Sequence, residues 1–290
     1  PRLSWRIESA LPATVQTGYR ILVSTDPGDL ETGENLIWDS GDVPSDRSVL
    51  VPYEGPELES RRDYYWKVRV ATNHGDTLWS EPSRWSMALL DDSDWQARWI
   101  GYDSCLNRTD TLGVFSRLAA RYLRKEFDAS NSGTKPERAV VYMSGLGCGD
   151  LYLNGRLVDE TRVLDPAQTN YEQYAFYSTF DVTDLLEKGD NCIGVMLGDG
   201  WYNQDKVWSA GMSYGKPMLL LQMEITYKDG SKRIVATDST WTWAPGPVLS
   251  ANLYAGESYD ANREIAGWAS PGTPSGDWKS VRPAEGVIPA

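Results

Sequence analysis

One histidine, His74, is all that 290 residues provide. That removes metal sites built on several imidazoles and leaves a Ser-His-Asp triad a single possible base. Three cysteines, Cys105, Cys148 and Cys192, are too few and too scattered for a disulfide framework or a four-thiolate zinc site. They leave the redox compartment open. Basic residues are outnumbered, 28 Lys and Arg against 41 Asp and Glu, for a net charge of −13 and a pI of about 4.6. Nucleic-acid binders show the opposite, a basic patch and a high pI, which argues against DNA or RNA as partners. Anionic membrane surfaces are disfavoured for the same reason. No apolar run approaches the roughly 20 residues of a membrane helix.

Catalytic signatures are also missing. There is no Gly-x-Ser-x-Gly elbow, no Gly-rich phosphate loop ending in Gly-Lys-Ser/Thr, no His-Glu-x-x-His and no Cys-x-x-Cys. One chemistry survives, because glycoside hydrolysis needs only two carboxylates. Acidic residues are plentiful, but their spacing does not single out a pair. Phenylalanine is scarce, with 4 Phe beside 13 Trp and 16 Tyr. Trp and Tyr combine an apolar face with a polar edge, which suits β-sandwich cores and hydroxyl-rich ligands alike.

At about 150 residues per domain the length suggests two domains, each able to bury its own core. Strand patterns dominate and sustained helical periodicity is rare. In the run from Tyr64 to Val70, the residues Tyr64, Trp66, Val68 and Val70 share one face, with Lys67 and Arg69 on the other. That is a half-buried antiparallel strand. Tyr19, Ile21 and Val23 alternate in the same way. Asn73-His74-Gly75-Asp76 reads as a hairpin connection, so His74 is expected in an exposed turn. Trp79 to Trp85 would be the last strand of this first domain, with Pro82 at an edge position. Residues 1–92 therefore read as a fibronectin type III-like β-sandwich.

Residues 93–104 form a Trp-rich junction, with Trp95 and Trp99 after an acidic turn, and read as ordered rather than as a flexible linker. Residues 105–283 read as a larger jelly-roll sandwich. Asn154-Gly155 and Asp229-Gly230, each between apolar alternations, are two-residue hairpin signals. Val182 to Leu186 allows at most one helical turn. The sequence begins at Pro1 without a signal-peptide pattern, and residues 284–290 read as a linker. It is expected to be a piece of a longer protein.

Four clusters are candidates for function. Gly145 to Asp150 carries three glycines, a sign of bulges or close backbone approach. Leu164 to Tyr171 is rich in side-chain oxygens from Asp165 and Asn170, which can hold sugar hydroxyls or calcium, or cap the loop's own turns. In Leu197 to Asp205 a Gly-flanked Asp199 precedes Trp201 and Tyr202. A carboxylate that accepts two hydroxyls beside an aromatic face is what carbohydrate recognition requires. Tyr254 to Asn262 places Glu257 and Asp260 three apart, where they can share a cation or bond an arginine.

These segments, in order along the chain, resemble the N-terminal half of bacterial α-L-rhamnosidases, glycoside hydrolase family 78. The matching pieces include Trp38-Asp39-Ser40-Gly41, Tyr64 to Val70, Trp79-Ser80-Glu81-Pro82 and Trp95 to Gly101. In the second domain they include Leu151 to Gly155, Asp181 to Leu186, Gly198 to Tyr202 and Gly256 to Ala261. The resemblance implies a fibronectin-like domain followed by the family's N-terminal β-sandwich, which in some members binds L-rhamnose with calcium. It also implies that the inverting acid and base belong to an (α/α)6 barrel beyond this chain, so no catalytic residue is expected here. The sequence departs from the family at Cys148-Gly149, often two aromatics, at Ala167-Gln168, often Gly-Trp, and at Asn262, often Arg.

The resulting expectation is the non-catalytic N-terminal region of a periplasmic or extracellular α-L-rhamnosidase acting on rhamnose-containing glycans. Its β-sandwich would bind carbohydrate or brace the catalytic domain of the same polypeptide. The expected ligand contacts are Asp199, Trp201, Tyr202, Asp165 and Asn170, with no cofactor required beyond a possible calcium ion. The competing reading is a cell-surface β-sandwich interaction protein unrelated to a hydrolase, since sandwich folds are shared by many functions.

Overall fold

The computed structural model describes residues 1–101, 120–131, 136–203, 214–253 and 256–284. Cys105, Gln204, Asp205, Tyr254 and Ala255, singled out in the sequence, lie outside them, as does most of the expected linker at 284–290. The chain divides into two compact units, Pro1–Asp94 and Trp95–Ala290.

The first unit contains β1 (Arg2–Leu3), β2 (Gln16–Ser24), α1 (Pro27–Thr32), β3 (Trp38–Asp39), β4 (Val51–Pro52), β5 (Asp63–Thr72), β6 (Gly75–Trp79) and β7 (Ser83–Ser86). One sheet runs β3-β2-β5-β6, with β7 also on β5, and β1 pairs with β4 in a second. The two contribute to one core, with Leu3 and Val51 joining Ile21, Val23, Tyr64, Val68 and Val70. The alternation read from Tyr64 to Val70 thus faces inward as expected. Lys67, on the other face, is nonetheless buried under the Trp79 ring, 5.3 Å from its centroid.

The expected last strand, Trp79 to Trp85, is two strands. β6 pairs with the end of β5 at Arg69–Thr72, and β7 pairs with its start at Asp63–Trp66. Between them Pro82 offers no N–H, and Ser80 bonds Val68 through both its backbone and its hydroxyl. His74 sits in the exposed turn between β5 and β6. Helix α1 has no counterpart in the strand-based reading. Its signals are the Asp26 N-cap, whose carboxylate accepts from the Gly28 N–H, Pro27 in the first turn, and left-handed Gly33 after the last.

The second unit contains β8 (Ile100–Gly101), β9 (Arg121–Asp128), β10 (Pro136–Leu146), β11 (Cys148–Leu153), β12 (Arg156–Leu157), β13 (Ser178–Asp181), β14 (Asp190–Gly198), β15 (Met218–Tyr227), β16 (Lys232–Ala236), β17 (Thr242–Pro245), β18 (Val248–Asn252), β19 (Gly256–Tyr259), β20 (Lys279–Ser280) and β21 (Arg282–Pro283). Two antiparallel sheets form a sandwich. One runs β13-β10-β15-β8-β21, with β16 also on β15, and the other β12-β11-β14-β9-β17-β20. Alternate residues of both sheets fill the core, among them Leu123, Leu151, Ile193 and Val195 against Val141, Met143, Leu221 and Met223. The described residues are nearly all β, a small sandwich followed by a larger one.

Trp95 to Gly101, expected as a junction, belongs to the larger sandwich. Trp95 packs edge-on against Tyr142 and Tyr177, the Gln222 side chain accepts from the Gln96 N–H at 2.6 Å, and Ile100 pairs with Leu219. Asn154 and Gly155, both at positive φ, form the two-residue turn between β11 and β12. Asp229-Gly230 closes a longer loop, since the Tyr227 N–H donates to the Ser231 carbonyl. Left-handed Gly230 supplies the extra residue, and the Asp229 carboxylate holds Ser231 through its N–H and hydroxyl. Thr183–Leu185 is the single helical turn expected, a 3-10 turn.

Candidate functional site

The sequence-chosen residues gather at one end of the larger sandwich, where β10 turns into β11 and β14 ends. Gly147 makes the first turn with φ 128°, and Gly200 follows β14 with φ 47°. The two turns interlock. A Cβ on Gly147 would lie 2.0 Å from the Gly198 carbonyl oxygen, and one on Gly200 would lie 2.3 Å from the Gly147 carbonyl carbon. Only glycine fits either place. Of the three glycines read as a sign of close approach, Gly147 makes this clasp, while Gly145 and Gly149 pack against core side chains.

Asp199 lies inside the clasp and is 1% exposed. Its Oδ1 accepts from Asn203 Nδ2 at 2.9 Å, and its carbonyl accepts from the Asn203 N–H at 3.1 Å. Burial with paired hydrogen bonds makes it a turn-closing carboxylate. Tyr202 is buried as well, edge-on to Tyr171 at 5.1 Å and inclined 24° to Tyr214. Trp201 is half-buried against the small cluster of Leu146, Tyr171, Ala175 and Tyr202.

Asp165 is tied to the same place by its backbone, its carbonyl accepting from the Gly149 N–H at 3.0 Å. Ser178 donates to its Oδ1 at 2.6 Å, and Arg162 lies 3.4 Å from its Oδ2. Asn170 is exposed and serves its own turn. Its side-chain oxygen accepts from the Glu172 N–H, and its carbonyl from the N–H groups of Gln173 and Tyr174. The structure therefore joins Asp165, Asp199, Trp201 and Tyr202 in one region and directs the Asn170 amide into a local turn.

The strand pattern of β11 adds what the motif reading passed over. Gly149, Leu151 and Leu153 face the core, so Cys148, Asp150 and Tyr152 face outward. Asp150 is accessible yet lies against enough protein that burial, then the charge of Asp165, raises its carboxyl above the ordinary range. Burial, then Asp150 and Asp165, pushes the Cys148 thiol up to about 12. Such a thiol is protonated at neutral pH and a poor nucleophile. Burial also pushes the Tyr171 hydroxyl up to about 12, and no hydrogen bond of normal geometry satisfies it. The exposed Asp150 carboxylate can accept from ligand hydroxyls, whereas the Tyr171 hydroxyl is enclosed. Among the described residues no three acidic, cysteine or histidine side chains converge on one point. Calcium takes six to eight oxygens, and Asp165 and Asp199 are already engaged, so these residues do not fit a calcium cage.

Residues 134–287 match the family model of the α-L-rhamnosidase N-terminal domain. The chain belongs to that family. Residues 1–91 match the Rha78A-like N-terminal immunoglobulin domain, a sandwich of the fibronectin type III architecture. An α-L-rhamnosidase of Formosa agariphila is 34% identical over 301 residues, covering 96% of this chain and 31% of its own length. The structure of an α-L-rhamnosidase from Dictyoglumus thermophilum superposes with a TM-score of 0.82 at 31% identity, covering 97% of this chain and 32% of that one. The Streptomyces avermitilis α-L-rhamnosidase complexed with L-rhamnose gives 0.82 at 26% identity, covering all of this chain and 43% of that one. The chain thus spans about a third of the Formosa and Dictyoglumus proteins. The Streptomyces sequence aligns with all 290 residues of this chain over 448 positions, so it carries insertions relative to this chain.

Proposed function

We propose that this chain is the non-catalytic N-terminal region of a longer α-L-rhamnosidase, and that its larger sandwich braces the catalytic domain. The observation that carries this reading is the coverage, in which nearly the whole chain matches about a third of several α-L-rhamnosidases. The geometry supports bracing over recognition at the clasp, because Asp199 and Tyr202 are buried and Asn170 holds its own turn. The loop beside the clasp instead turns apolar side chains outward, with Val163 84% exposed and Leu164, Tyr174 and Phe176 each near half. In a longer polypeptide these side chains have a neighbour to meet.

Thermal unfolding of the longer enzyme tests this. Val163→Asp with Phe176→Asp is expected to lower the Tm of the catalytic domain while leaving that of the isolated 290-residue chain unchanged. Equal effects on both, or none on the enzyme, would remove the bracing role. A second reading rests on Asp150 and Asp165, which meet a rhamnose-containing glycan at the outer face of β11. It predicts that Asp150→Asn weakens sugar binding without loss of stability, as read by calorimetric titration with L-rhamnose.

A further inference from the structure

The outer face of the first unit's larger sheet carries a hollow of about 400 Å³, within the range of small-molecule sites. Its floor is made by two small residues directly across the β2–β5 ladder, Gly18 and Ala71. A Cβ on Gly18 would lie 3.0 Å from the Val43 carbonyl oxygen and 3.6 Å from Ala71 Cβ, so any side chain there would begin to fill the space. Two pairs along the ladder, and so on the same face, Arg20 stands opposite Arg69.

Two like charges directly opposite each other destabilise a sheet. Here each is neutralised and fixed. Arg20 donates through Nε and Nη2 to the two oxygens of Asp39 at 2.9 and 2.6 Å. Arg69 donates to Asp42 Oδ1 at 2.9 Å and lies over the Trp79 ring at 5.5 Å. The hydrogen bonds from Arg20 hold Asp39 below the ordinary carboxylate range, so the pair stays charged. Asp42 is 74% exposed. Pro44 and Ala71 supply apolar wall.

Arg20, Arg69 and Asp42 line the hollow, and Asp39, outside the lining but bonded to Arg20, brings the sum of these four charges to zero. The hollow offers guanidinium donors and the Asp42 carboxylate side by side above an apolar floor. Vicinal hydroxyls can use both at once, each donating to a carboxylate and accepting from a guanidinium. We propose that this hollow of the immunoglobulin-like unit is a binding site for a neutral polyhydroxylated ligand of monosaccharide size. The site is separate from the clasp of the larger sandwich and rests on no part of the bracing role.

A 1H–15N correlation titration of the uniformly labelled 290-residue chain tests it, with methyl α-L-rhamnopyranoside as the neutral probe and sodium glucuronate as the anionic one. The neutral sugar is expected to shift the amides of Gly18, Asp42 and Ala71 saturably in the millimolar range. Asp42→Ala should weaken binding about tenfold, as for hydrogen bonds lost to a charged group. Ala71→Leu should fill the hollow and abolish the shifts while spectral dispersion is kept. If Ala71→Leu unfolds the unit, the Asp42→Ala result decides alone. No shift at these amides, shifts confined to the larger sandwich, a response to glucuronate only, or undiminished binding in Asp42→Ala would each overturn the proposal.

Discussion

Gly200→Ala separates the two costs that the clasp imposes on its glycines. The conformational cost is small, because φ of 47° lies near the left-handed well that other residues reach for about 1 kcal/mol. The steric cost is larger. The new Cβ would sit 2.3 Å from the Gly147 carbonyl carbon and 2.6 Å from the Cys148 nitrogen, both of them backbone atoms that no rotamer change can move. Forcing such contacts apart costs about 1–3 kcal/mol, for a total of about 2–4 kcal/mol. Gly230→Ala is the control, since its φ is 80° and a Cβ there meets nothing within 4 Å. It should cost only about 1 kcal/mol. Hydrogen exchange of the whole chain, read by mass spectrometry on β11 and β14, reports the difference. Protection there should fall by a factor of about 30 to 1000 in Gly200→Ala and by about 5 in Gly230→Ala, with β5 unchanged in both. Equal losses in the two variants would show that the clasp is not closed by backbone contact.

The remaining predictions concern titration and reactivity. Burial alone would raise the Asp94 carboxyl, but hydrogen bonds from Ser60 and Arg61, each 2.5 Å, outweigh it and bring the pKa to about 2. A depressed carboxylate stabilises above its unfolded pKa and loses that contribution as pH falls through the folded one. The first unit should therefore lose about 1–2 kcal/mol between pH 4 and pH 2, allowing for solvent screening. Asp94→Asn should flatten that slope in acid-dependent urea unfolding, and an unchanged slope would assign it elsewhere. Cys148, its thiol pushed up to about 12, and buried Cys192 should resist iodoacetamide at pH 8 over times that consume a small-molecule thiol. Rapid labelling of Cys148 in the folded chain would contradict its placement beside Asp150 and Asp165.

Strand identity was legible wherever one face is buried and the other wet, as from Tyr64 to Val70, because period two is written directly into such residues. Turn type was less so. Asn154-Gly155 gives its two-residue turn, but Asp229-Gly230 does not, since Ser231 is captured by the Asp229 carboxylate and lengthens the loop. Pro82 signals an interruption, yet whether it ends a strand or sits on an edge depends on the β5 partner running past it. At the candidate site the structure brings Asp165, Asp199, Trp201 and Tyr202 into one region, with Asp199 and Tyr202 buried. Asp199 carries the sequence marks of a ligand carboxylate, a flanking glycine and following aromatics. The same glycines let two backbones approach so closely that the carboxylate is enclosed. Asp150 was hidden for the opposite reason, in a strand whose glycines spoke for packing, although alternation with Leu151 and Leu153 already turns it outward. The hollow of the first unit could not be read locally, because Gly18 and Ala71 meet only through the β2–β5 register.

On the function proposed above, this chain serves a rhamnosidase without performing its chemistry. Hydrolysis of p-nitrophenyl α-L-rhamnopyranoside by the purified 290-residue chain addresses that directly. The account predicts no release of nitrophenol above the uncatalysed rate. Turnover that persists through repurification and disappears in Asp150→Ala would contradict it, making the outer face of β11 an active site.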